Sequence, residues 1–121
     1  MDEVDMTSLA QSVIARAIKQ RDLLQSMTEQ TKKISARVTS RDRAVSAEVD
    51  GLGSLTGLWL GPPASRLDPD TLATLIVETA QAAAKLSAER YNFLLKEFMT
   101  RMDELQRAPL TRSDGTVFEP D

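Results

Sequence analysis

The chain has 121 residues, 41% hydrophobic and 27% charged with a net charge of −3, which suits one folded domain with an aliphatic core. It contains no cysteine and no histidine, so a disulfide scaffold and the common zinc, haem and iron–sulfur ligand sets are excluded. The same absences remove the commonest general base and the thiol nucleophile, so no enzyme activity, metal, cofactor or small-molecule substrate is expected.

From Met6 to Lys33 apolar residues recur at helical spacing. Met6, Leu9, Val13, Ala17, Leu24, Met27 and Ile34 keep to one stripe, and Ile14, Ile18 and Leu23 widen it. No Gly or Pro interrupts the segment, and Thr7 or Ser8 could supply the N-cap oxygen. The period then changes. Ile34–Thr39 and Val45–Val49 alternate apolar and polar residues, as strands with one covered and one wet face do. Ser40-Arg41-Asp42-Arg43 is a loop of hairpin length, and Asp50-Gly51 signals a two-residue turn with φ > 0. A third run, Ser54–Leu60, ends at Gly61-Pro62-Pro63, completing a three-stranded antiparallel meander. Trp59, between Leu58 and Leu60, reads as core. Gly51-Leu52-Gly53 lies between strands and reads as a turn, since a nucleotide loop needs a following helix.

A second, longer helix opens at Asp68-Pro69-Asp70, with Asp68 as N-cap, Pro69 at the first position and Asp70 at the positive end of the dipole. Capping accounts for this acidic pair without a carboxylate site. Leu72, Leu75, Ile76, Thr79, Ala82, Ala83 and Leu86 form its first apolar face, and no Gly or Pro appears before Leu105. The fold class is therefore α+β, in the order α-β-β-β-α. Residues 1–106 are expected to form one domain and residues 107–121 a flexible tail.

The second helix spans ~55 Å, whereas a globule of this size measures roughly 35 Å across. Its distal half, with Tyr91, Leu95, Phe98, Met102 and Leu105, would then meet water unless a second copy covered it. That stripe is the expected seam of a homodimer.

Val45-Ser46-Ala47-Glu48-Val49-Asp50-Gly51-Leu52-Gly53-Ser54-Leu55 resembles the alternating strand, Gly-x-Gly turn and returning strand of the YbaB/EbfC family of nucleoid-associated DNA-binding proteins. Asp68 to Ala84, leucines leading into alanines, resembles that family's helix opening. The Gly-Pro-Pro break and Ala-rich helix look most like its actinobacterial branch, some members of which are associated with type VII secretion. The resemblance implies a cytoplasmic, nucleoid-located dimer that binds double-stranded DNA.

Charge distribution points to where DNA would sit. Residues 16–43 carry eight basic side chains against three acidic ones, so the rest of the chain is strongly negative. Arg16, Lys19, Lys32, Lys33, Arg37, Arg41 and Arg43 are the candidate phosphate contacts. The alternative is a protein-interaction module without DNA binding, such as a secretion-associated chaperone or stabiliser, using an apolar helix end or a strand edge. No apolar run reaches the ~18–20 residues of a membrane span, and the acidic Met1–Asp5 start is unlike a signal peptide, so no membrane partner is expected.

Overall fold

The computed structural model describes residues 3–108, 110–111 and 117–118, with side-chain surroundings for residues 7–108. The elements are α1 (Glu3–Lys32), β1 (Ser35–Thr39), β2 (Val45–Asp50), β3 (Leu55–Leu60), a 3-10 helix (Pro62–Arg66) and α2 (Pro69–Arg107). Two short strands follow, β4 (Leu110–Thr111) and β5 (Val117–Phe118), which pair antiparallel. The rest of the tail expected to be flexible lies outside the described residues. The α-β-β-β-α order is the one the sequence predicts.

The chain forms two compact units. One comprises residues 29–94 and so holds the sheet; the other joins residues 1–28 to residues 95–121. In the sheet unit the strand order is β1-β2-β3, antiparallel throughout, with Arg37 opposite Glu48 and Ser46 opposite Trp59. The ladder slips at Glu48/Val49, so Val49 faces Leu55 while Thr56 is displaced. Strand β2 shows strict alternation because its Val45, Ala47 and Val49 side chains all lie on the covered face.

Helix α2 covers that face with small residues. Ala83 packs with Ala47 and Val49, joined by Val38, Ala80 and Ala84. A second cluster of Ala44, Val45 and Ala64 receives Leu67, Leu72, Leu75 and Ile76. The alanines let the helix backbone sit close to the sheet, and two polar groups are buried with them. Thr79 bonds back to the carbonyl of Leu75 at 2.7 Å, and Ser87 donates to the carbonyl of Asp50 at 2.5 Å. Ala82, expected on this face, is exposed, because the buried row runs Thr79, Ala83, Ser87 in steps of four.

Local chemistry sets the boundaries. Asp68 caps α2 as expected, accepting from the Thr71 N–H at 3.1 Å and the Thr71 hydroxyl at 2.6 Å. Helix α1 starts at Glu3, ahead of Thr7 and Ser8, so neither is its N-cap; no Gly or Pro stops the helix from extending. The Asp50-Gly51 turn also differs from expectation. Positive φ falls on Gly53 (86°), while Asp50 Oδ1 accepts from the N–H groups of Leu52 and Ser54 at 3.0 and 2.9 Å. Gly51 is needed for space instead. A Cβ there would strike the carbonyl oxygen of Thr31 and sit 3.0 Å from the Cβ of Ile34.

Candidate nucleic-acid interface

Strand β1 is an outer strand of the sheet, and basic residues bracket it. Lys32 and Lys33 stand where α1 hands over to it, Arg37 is its middle residue, and Arg41 and Arg43 lie in the loop to β2. All five are exposed. Five residues of strand span ~17 Å, so this row covers the reach of several phosphates along one groove edge. The other two candidates lie apart. Arg16 and Lys19 belong to the unit built from residues 1–28 and 95–121, where Arg16 donates to the carbonyl of Ala108 and Lys19 is exposed.

The loop that presents Arg41 and Arg43 is tightly built. Asp42 accepts from the backbone N–H of Ala44 at 3.0 Å and from the hydroxyl of Ser40 at 2.7 Å, and these bonds hold its carboxyl below the usual carboxylate range. The Ser40 oxygen also accepts from the Val45 N–H at 3.1 Å. Arg43 takes φ 60, closing the loop where the sequence offers no glycine. On its other side lies an open cleft of about 360 Å³ lined by Asp42, Leu67, Asp70, Thr71, Thr74, Leu75 and Glu78. Its three carboxylates repel phosphate, so of the two ends of β1 the Lys32–Lys33 end is the more purely positive.

Arg37 is held as well as exposed. Its guanidinium sits 3.9 Å from the centroid of the Trp59 ring, and its Nε lies 3.5 Å from a carboxylate oxygen of Glu48. The three residues belong to neighbouring strands on the wet face of the sheet. Trp59 is 44% exposed there, which corrects its reading as core: the residue paired with it, Ser46, points away from the helix side, and so must Trp59. Its ring lies flat over Gly57, where any Cβ would collide with it. Glu48 and Trp59 were missed as partners of Arg37. The signal was the hairpin register, since a loop closed at Ser40 and Val45 sets Arg37 against Glu48.

Among the stripe residues of α2, Tyr91 lies in the sheet unit, while Leu95, Phe98, Met102 and Leu105 lie in the other. All five are half-buried within the single chain. Among the described residues no group of three or more acidic side chains is arranged to hold a metal ion, and no helix is long and apolar enough to cross a membrane.

A three-stranded antiparallel sheet that follows one long helix in the chain and precedes another, with one outer strand bracketed by Lys and Arg, defines a small α+β protein with a basic strand edge. The sequence profile of the YbaB/EbfC DNA-binding family matches residues 6–106, and the chain belongs to that family of nucleoid-associated DNA-binding proteins. No curated protein is a significant match to the chain.

Proposed function

We propose that the protein binds double-stranded DNA in the cytoplasm, at the nucleoid, as a homodimer that grips the phosphate backbone and reads little sequence. The carrying observation is the exposed basic row along β1: Lys32, Lys33, Arg37, Arg41 and Arg43. Membership of a DNA-binding family supports this reading over the secretion-associated chaperone. Arg16 and Lys19 would add contacts from the other unit. A chain without histidine or cysteine, in a DNA-binding family, supports a role in binding over one in catalysis.

Each neutralised phosphate contributes a slope near −0.9 to log affinity against log salt. With about four to six contacts, affinity should fall roughly a hundredfold or more between 50 and 200 mM salt, and duplexes of unrelated sequence should compete equally. Fluorescence anisotropy with labelled duplexes tests this. No binding at the lower salt concentration with micromolar protein would remove the DNA reading.

A further inference from the structure

The face of the sheet turned away from α2 is open. Ser35, Arg37 and Thr39 on β1 and Trp59 on β3 are exposed, and Ser46, Glu48 and Asp50 on the middle strand are partly exposed. Across this face Thr39, Ser46 and Trp59 stand in one cross-strand row, and Arg37, Glu48 and Gly57 stand in the next. The Trp59 ring leans from its own row over Gly57, where the missing Cβ leaves room for it. Arg37 reaches across from β1 and sets its guanidinium carbon 3.9 Å from the ring centroid.

This arrangement suits an unpaired base. A cation–π pair as exposed as this one adds little to stability by itself. An aromatic ring and a guanidinium plane are, however, the two protein surfaces on which nucleobases stack. Glu48 meets Arg37 at its Nε, on the edge of the guanidinium, so the ion pair leaves the plane free. Beside the ring, the Thr39 and Ser46 hydroxyls bond to each other at 2.8 Å, which uses only one of their two protons. The carboxylates of the face are already engaged, Glu48 by Arg37 and Asp50 by the N–H groups of Leu52 and Ser54. The cations that bracket β1, Lys32 and Lys33 at one end and Arg41 and Arg43 at the other, are exposed.

We propose that this face binds single-stranded DNA, with an unpaired base stacked on the Arg37–Trp59 pair and the neighbouring phosphates held by the cations at the two ends of β1. A single strand fits because its bases can splay out and lie flat on the pair, whereas a duplex stacks its bases on one another and shows only their edges in the grooves. Every base has a π-face, so the contact accepts any sequence. Membership of a DNA-binding family supports DNA as the strand. The proposal rests on the basic row of the duplex reading for its phosphate contacts, and adds a base contact that a duplex cannot make.

Trp59 reports on its own site, because the chain has no other tryptophan. Titration with oligothymidylate at low salt should quench its fluorescence to saturation. An abasic strand of equal length carries the phosphates without the bases, and should bind about tenfold more weakly and leave the fluorescence unquenched. Trp59→Ala, folded by circular dichroism, should lose about tenfold in affinity for oligothymidylate by anisotropy while its duplex affinity stays within about twofold. Trp59→Phe should retain most of the single-strand affinity. Equal binding and quenching by the abasic strand overturns the proposal, as does a folded Trp59→Ala that binds oligothymidylate like the wild type. Should Trp59→Ala fail to fold, the wild-type quenching titrations decide alone. Duplex binding without oligothymidylate binding overturns the proposal and leaves the duplex reading standing, and the reverse result removes only the duplex reading.

Discussion

The hydroxyl of Ser87, 1% exposed on α2, donates to the carbonyl of Asp50 at the end of β2, tying the helix to the strand across 37 residues of chain. The carbonyl also accepts from the Gly53 N–H at 3.1 Å, so it would not be orphaned by loss of the hydroxyl. Ser87→Ala should therefore cost about 1 kcal/mol, the net worth of one buried hydrogen bond, and lower the melting temperature by several degrees. Urea unfolding should show a lower midpoint at unchanged slope.

Gly51 and Gly53 should fail for different reasons. Gly51→Ala pushes a methyl group onto the Thr31 carbonyl and Ile34, a steric overlap costing about 1–3 kcal/mol. Gly53→Ala meets nothing within 4 Å but must adopt φ +86, so its cost is backbone strain. Asn tolerates that region, so Gly53→Asn should recover much of the loss. Gly51→Asn should not. Thermal unfolding of the four variants separates the two mechanisms.

Acid should weaken the helix cap. The Thr71 hydroxyl and then the Thr71 N–H hold the Asp68 carboxyl below its ordinary value of 3.8 in the folded protein. A depressed carboxylate stabilises the fold above the unfolded pKa, and that contribution is lost as pH falls through the folded value. Stability should therefore drop below about pH 4. Asp68→Asn, which still caps at neutral pH, should show a shallower drop in urea melts taken at neutral and acid pH.

Arg37 should bind phosphate less well than its exposure suggests, because Glu48 competes for it at 3.5 Å. Glu48→Gln removes the competitor and should raise DNA affinity while steepening the salt slope by about one contact. Anisotropy titrations at several salt concentrations measure both. An unchanged slope would mean that Arg37 does not reach the duplex.

Replacing Lys32, Lys33, Arg37 and Arg41 together with Ser should flatten the salt dependence without unfolding the protein, since all four are exposed. Among the basic residues bracketing β1, the Lys32/Lys33 pair should matter more than Arg41 and Arg43, whose loop also carries Asp42, which lines a cleft together with Asp70 and Glu78. Changing Arg101 and Arg107 should have a smaller effect; the Arg107 Nε already lies 3.2 Å from Asp103.

What the sequence determined alone is local. The alternation of Val45, Ala47 and Val49 marks a half-covered strand, the Asp68-Pro69 pair marks a helix start, and the unbroken run to Leu105 marks a long helix. Each follows from a period or a cap that operates within a few residues, so the α-β-β-β-α order could be read without a structure. The basic cluster of residues 16–43 was legible as composition, but not its division between two units or the alignment of five members along β1. Trp59 shows the reason most plainly. Its neighbours Leu58 and Leu60 face the helix side, and because successive strand residues point to opposite faces, Trp59 lies on the wet face under Arg37. Which strand α2 covers, and which it leaves bare, depends on where a helix of small residues settles across a sheet. That choice is made by packing between residues tens of positions apart, and no local pattern encodes it.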